Sequence, residues 1–435
     1  MDRRFDREIA RLAVPVLVTL LAEPTYLLVD TAIVGHLGTD ALGGLAVAST
    51  ILLTLTSLCI FLAYGTTAAV SRLLGAGDER GAADDAIQGV WLAVGVGVVL
   101  ALVVGLGAGP LVSLFGTGDA AAAAARTYLR VSVVGLPFLL VTFAGTGYLR
   151  GKQLTTSPMV IALVAAVVNV VADVVLIPVL GYGIGASALG TVIAQVLAGS
   201  AFVAIVGRTA RADGGRFAPR WSEQRRLVRV GADLAVRTAA LRLSLLLLTS
   251  VAARIGSAPL AAHQVAFEIW GFLAMGLDAL AIAGQAMIGR RLGAGDGEEA
   301  RAAGNRLLVL GVAASLVTAV LVVALIPVVP RLFSADPEVR SLVRFLLWWV
   351  AGLQPIASLA FVLDGILIGA GDQRFLAAAM VAAGVVFALA VAPILPLDLG
   401  IGWVWASFGT LMAARVVLLG WRYRGTRWLR YGRAV

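Results

Sequence analysis

Six acidic side chains stand inside long apolar runs: Glu23, Asp30, Asp173, Glu268, Asp278 and Asp364. A carboxylate in the hydrocarbon of a bilayer costs at least ~2.5–3.5 kcal/mol on insertion scales, so it faces a polar partner or a water-filled path. Glu23 and Asp30 are seven residues apart and fall on nearly one helical face. Asn169 and Asp173 are four apart and form one polar stripe. Glu268 and Asp278, ten residues apart, flank different faces of their run, and Asp364 lies toward the end of its own, within reach of interfacial water. Such carboxylates either titrate or coordinate a hard cation with amide and backbone oxygens. H+ or Na+ is therefore the ion such groups are expected to bind. The plainer alternative is that some only pair with buried arginines such as Arg237 or Arg242.

The element that must position the first two is the stretch Leu12 to Gly38, LAVPVLVTLLAEPTYLLVDTAIVGHLG. It is long enough to cross a bilayer, since about 20 apolar residues suffice. Pro15 and Pro24 each remove a helical donor and invite a bend. A bendable helix carrying a buried carboxylate could link ion binding to shape.

The composition fixes the class. Of 435 residues 60% are hydrophobic and 14% charged, against about 25% charged in soluble chains, and the mean hydropathy is +0.96. Repeated long apolar segments mark an all-α polytopic membrane protein; the short alternating strands of a transmembrane barrel are absent from the pattern. The net charge of +9 does not indicate nucleic-acid binding, because the arginines cluster in short segments between apolar runs. Cys59, the single cysteine, stands in an apolar run and reads as packing. The first run follows Arg3, Arg4, Arg7 and Arg11, but its length, prolines and acids argue for a retained span over a signal peptide.

Twelve spans are expected, beginning near Ile9, Ala41, Ala83, Ala121, Ser157 and Ile184, then near Arg225, Pro259, Ala300, Pro337, Phe375 and Ile401. The N-terminal arginines, Arg72 and Arg80, Arg150 and Lys152, Arg290, Arg291, Arg301 and Arg306, Arg374, and the tail from Arg422 to Arg433 share one side. The stretch Gly207 to Arg229 joins them there. Both termini are thus expected in the cytoplasm, and the protein in the cell's inner (plasma) membrane. The halves repeat: Gly75-Ala76-Gly77-Asp78 returns as Gly293-Ala294-Gly295-Asp296, 218 residues on. The same offset carries Gly38 to Gly256 and Gly151 to Gly369. Six spans is an even number, so the copies share one orientation, about an axis along the membrane normal. The expected organisation is an N-lobe at 1–208, a cytoplasmic linker at 209–224 and a C-lobe at 225–435.

Other chemistries lack their signatures. Gly-Ala-Gly-Asp occurs at Gly75, Gly293 and Gly369, never continuing to the GK[ST] of a phosphate loop, so no nucleotide is expected. It reads as a helix stop, with Asp78, Asp296 or Asp372 capping the next helix. His36 and His263 stand far apart, His36 with a surface role, and no metal-ligand spacing or G-x-S-x-G nucleophile motif occurs. No cofactor, no resident metal and no enzymatic activity are expected.

At these residues the sequence resembles the multidrug and toxic compound extrusion (MATE) transporters, closest to their DinF-like branch. The resemblance rests on LAxPxL and LVDTAIVGHLG, SRLLGAGD, the NVVAD stretch, GIGASALGT, AAHQ, LDALAIAGQAMIGRRLGAGD and DGILIGAGD, in this order over nearly the whole chain. It implies two six-helix lobes in a V around a central cavity that opens alternately to either side. By position, Pro15 resembles the proline at which the first span bends, and Asp30 the aspartate tied to proton or sodium coupling. Asn169, Asp173 and Thr191 resemble its polar partners, which implies that any sodium would sit at Asp30, Asn169 and Asp173. The NorM-like branch has an acid in the seventh span; here that run offers only Asp233 near its start, then Arg237 and Arg242.

The function expected is secondary antiport that exports amphipathic, cationic organic compounds, the protein acting as a monomer. Its rivals are a lipid-linked oligosaccharide flippase of the same superfamily, a non-transporting membrane scaffold and a membrane-embedded enzyme. A flippase carries a cationic cavity, whereas the acids here favour cations. A scaffold has no use for several intramembrane carboxylates, and an enzyme would need the catalytic motifs that are missing.

Overall fold

A chain crossing lipid must pair its peptide groups within itself, and the helix does so segment by segment. The computed structural model describes residues 3–432, and every regular element among them is a helix; Arg433 lies outside the described residues. The spans of the first half are Arg4–Gly35, Thr39–Gly75, Glu79–Ser113, a bent pair Asp119–Ser132 and Leu136–Gly151, Thr156–Val179 and Ile184–Ala212. Those of the second are Trp221–Ile255, Ser257–Gly293, Gly297–Leu325, Pro337–Gly369, Gln373–Val391 and Ile401–Arg424. With the bent pair taken as one span, twelve helices among the described residues are long and apolar enough to cross a membrane. Their starts agree with the sequence-based expectations to within about a turn of helix, except that the first begins at Arg4, ahead of the expected Ile9.

The departures from straight helix have local causes. The fourth span turns by 55° between its arms, where Pro137 opens the second arm without an N–H to give. Gly97 of the third span accommodates the elbow: a Cβ there would lie 2.5 Å from Pro137 Cα. The fifth span ends in a π-turn, Val175–Val179, around Pro178. Proline displaces the carbonyl four residues back, and the bonding slips to Leu180 N–H on Val175 O, 3.0 Å.

The repeat extends to atomic packing. In the first half, a Cβ on Gly147 would meet Ala63 O at 2.5 Å and one on Gly151 would meet Thr67 O at 3.1 Å. In the second, Gly365 meets Ala281 O at 2.3 Å and Gly369 meets Gln285 O at 2.5 Å. All four glycines and all four partners are related by the 218-residue offset. Small residues four apart let two helix backbones touch, the main attraction between helices in lipid.

The three Gly-Ala-Gly-Asp stops share one geometry, with Gly77, Gly295 and Gly371 at φ of 73°, 82° and 75°. Asp78 and Asp296 cap as expected, accepting from Gly81 N and Glu299 N at 2.9 Å. Asp372 does not cap. It is buried and takes Arg422, Nε to Oδ2 at 2.5 Å, together with Arg430. An ion pair is worth more to a buried carboxylate than one backbone N–H.

The chain divides into two compact units: Val14–Gly231, and the segment ending at Ala13 together with the chain from Ala232 on. In the first unit the helices leave only residues 213–220 between the sixth and seventh spans, and this connection is fastened down. Asp84 accepts from Arg216 N at 2.6 Å and Arg220 Nη2 at 2.8 Å, Trp91 donates to Phe217 O at 2.8 Å, and Arg226 pairs with Asp85. In the second unit an aromatic core of Trp270, Phe387, Trp405 and Phe408 holds the helices together.

Candidate functional site

Within the Val14–Gly231 unit, three helices bring the sequence-flagged polar groups to one place. Asp30 is 2% exposed, Asn169 2% and Asp173 0%. Ser187 Oγ donates to Asp30 Oδ1 over 2.6 Å, and the carboxyl groups of Asp30 and Asp173 lie within hydrogen-bonding reach. The Asn169 amide turns its oxygen to Thr191, accepting from Oγ1 at 3.2 Å and from N at 3.1 Å, while its nitrogen donates to Asp173 Oδ2 at 3.3 Å. Two carboxyl groups in such contact need a proton or a cation between them, because like charges side by side repel.

The local fold explains the approach. Asp173 stands just before the π-turn Val175–Val179 that closes its span, at the point where regular helix gives way. Gly190 faces it: a Cβ there would lie 2.4 Å from Asp173 Oδ1, so only glycine lets the carboxylate reach the sixth span. Among the described residues that same Oδ1 is buried and accepts no hydrogen bond. Its lone pairs are thus left over for a proton or an ion.

Four participants were not singled out in the sequence. Ser187 precedes Thr191 by four residues, and Tyr26 precedes Asp30 by four, so both share a face with a flagged residue. Tyr128 carried no such signal. It comes from the first arm of the bent fourth span and reaches Ser187 and Thr191. Gly190, the fourth, shows its part only in three dimensions. Glu23 is exposed and makes no hydrogen bond to the cluster among the described residues. Pro15 lies inside an unbroken helix, Arg3–Gly35.

The second-half acids do not form a matching site. Asp364 is buried in an ion pair with Arg237, with Arg415 Nη2 at 3.8 Å from Oδ2. Asp278 is half-buried within electrostatic reach of Arg415. Glu268 is exposed and accepts from Gln264 at 2.9 Å. The 218-residue offset carries Asp30, Asn169 and Asp173 to Leu248, Phe387 and Val391, all buried in the apolar core of the other unit. The repeat therefore keeps the polar cluster in one copy and fills its counterpart with hydrocarbon.

The MatE family model matches residues 15–175 and 234–394, one match in each half. Protein DETOXIFICATION 44, chloroplastic, of Arabidopsis thaliana is 32% identical, over 98% of this chain and 83% of its own length. DNA damage-inducible protein F of Escherichia coli (strain K12) is 30% identical, over 97% of this chain and 94% of its own. A solved structure described as MATE in the bent conformation has a TM-score of 0.88 at 22% identity, covering 97% of this chain and 95% of that one, a likeness of fold.

Proposed function

The chain belongs to the MatE family, and on that premise we propose that it is a secondary active antiporter. It exports amphipathic, cationic organic compounds in exchange for H+, with Na+ as the alternative coupling ion. The observation that carries this reading is the buried Asp30–Asp173 pair, present in one half and replaced by Leu248 and Val391 in the other.

The pair performs exchange by competition. Two adjacent carboxyl groups in apolar surroundings are costly unless a positive charge is shared between them. A proton supplies that charge, and so does the cationic group of a substrate. The site accommodates one and disfavours both together, which is the reciprocal coupling antiport requires. Ser187 and Asn169 direct O–H and N–H at the carboxyl groups. Donors so arranged suit a proton-sharing pair; to take Na+, the Asn169 amide would have to turn its oxygen inward. Pro15 is the bend point through which the first helix responds.

In this reading Asp30 and Asp173 bind the ion, Asn169 and Thr191 orient them, and the termini face the cytoplasm of a plasma membrane. The two acids also oppose the anionic headgroup of a lipid-linked oligosaccharide. The deciding experiment is drug efflux from reconstituted vesicles with proton and sodium gradients imposed separately. Export driven by a pH gradient and lost in Asp173→Asn is expected. Gradient-driven export that survives in Asp173→Asn while failing in Asp278→Asn would move the site to the second half.

A further inference from the structure

The twelfth span ends in a cleft of about 480 Å³ lined by Trp421, Arg422, Arg424, Gly425, Thr426 and Arg427. Its rim is held by the unit it belongs to. Arg301 donates to Tyr423 O at 3.3 Å and to Gly425 O at 2.6 Å, and the buried Trp428 donates to Tyr423 O at 2.8 Å. Arg422 and Arg430 converge on Asp372. The turn after the helix is thus fixed before any ligand arrives.

The charges on this rim are not balanced. Asp372 serves Arg422 and Arg430, while the exposed Arg424 and Arg427 have no hydrogen-bond or ion-pair partner among the described residues. Two guanidinium forks beside a preformed cleft match the geometry of a phosphate group, which accepts paired N–H bonds. Trp421 is 64% exposed at the same edge and lies 6.3 Å, centroid to centroid, from Phe375. An exposed tryptophan at the end of a span sits at headgroup depth. The geometry points to a binding site for a phosphate group in this cleft, carried by an anionic phospholipid headgroup or free in solution.

Trp421 supplies the readout. The full chain is reconstituted in liposomes containing brominated phosphatidylglycerol or, at the same mole fraction, brominated phosphatidylcholine. The Trp421 contribution is the difference in emission from Trp421→Phe. Phosphatidylglycerol is expected to quench it with a preference of roughly thirtyfold, the equivalent of about 1 kcal/mol per arginine. That preference is lost in the Arg424→Gln/Arg427→Gln double variant, whose changes lie on the exposed rim. Inorganic phosphate alone, titrated into the same protein in phosphatidylcholine, is the second arm. A Trp421 response to phosphate that the double variant lacks, without lipid preference, assigns the site to the free anion. Equal quenching by both lipids with no phosphate response overturns the proposal, as does a lipid preference that persists in the double variant. The wild-type comparison stands by itself should the double variant fail to insert.

Discussion

Ser187 gives its hydroxyl hydrogen to Asp30 Oδ1 across 2.6 Å, tying the sixth span to the first inside one six-helix half. A hydrogen bond to a charged group contributes about 1.5–3 kcal/mol, and this one has no water to replace it in a buried pair. Its partners also differ in kind: Asp30 changes charge when it takes a proton, Ser187 does not. The bond therefore reports the ionisation of Asp30 to the sixth span.

Ser187→Ala is expected to lower stability in detergent by about 2 kcal/mol and to slow export severalfold. The loss should not add to that of Asp30→Asn, since both remove one charged hydrogen bond. Thermal unfolding and vesicle export of the two single variants and the double variant form the cycle. Strictly additive losses would separate Ser187 from Asp30.

Gly190→Ala should act first on Asp173, with Ala172 Cβ the next nearest atom at 3.3 Å. The new methyl would stand 2.4 Å from Asp173 Oδ1 and must push that carboxylate off the sixth span. Export should fall about tenfold or more, as expected when a reacting group is displaced by about 1 Å, with insertion and expression unchanged. Gly185→Ala, on the same helix but with its nearest neighbour, Thr127 Cγ2, at 3.4 Å, is the control that should transport normally.

The spans, their number and the repeat were legible because apolar length and glycine spacing are local properties of the chain. Asp30, Asn169 and Asp173 were legible because acid inside hydrocarbon is expensive wherever it occurs. Tyr128 was not, since nothing nearby in sequence distinguishes it from an interfacial tyrosine and its role depends on the bend at Pro137. Gly190 reads as one more small residue until Asp173 is placed against it. Asp364 shows the converse. Its place near the end of a run suggested solvation, but the plainer reading, pairing with a buried arginine such as Arg237, is the one the structure bears out, with Arg415 added from a third helix.

Removing one partner of that buried pair should be severe. Arg237→Met leaves Asp364 without its main counter-ion, and such a loss costs about 3–5 kcal/mol. Asp364→Leu added to Arg237→Met should restore most of the stability, because an apolar pair of similar volume is often neutral or better. The measurement is thermal unfolding of the three proteins in one detergent. Full stability of Arg237→Met would mean that Arg415 alone neutralises Asp364.

The last prediction concerns the helix that carries Asp30. Its first turns belong with the second half: Asp6 takes Arg306 at 2.6 Å and 2.8 Å, and Glu8 takes Arg291 at 2.7 Å. From Val14 on, the same helix belongs to the unit containing the carboxyl pair. Pro15 is one residue past that changeover and has no N–H to give to the helical ladder, so the helix is softest there. Thr19 Oγ1 bonds Pro15 O at 2.8 Å and does not replace the lost donor. Pro15→Ala should restore about one helical hydrogen bond and stiffen this point. Asp30 keeps its surroundings, so drug added to purified, reconstituted Pro15→Ala should still release a normal first burst of protons. Repeated turnover should slow severalfold, because each cycle requires the bend that alanine resists. Turnover equal to wild type would remove Pro15 from the mechanism and leave Asp30 and Asp173 to act within a rigid helix.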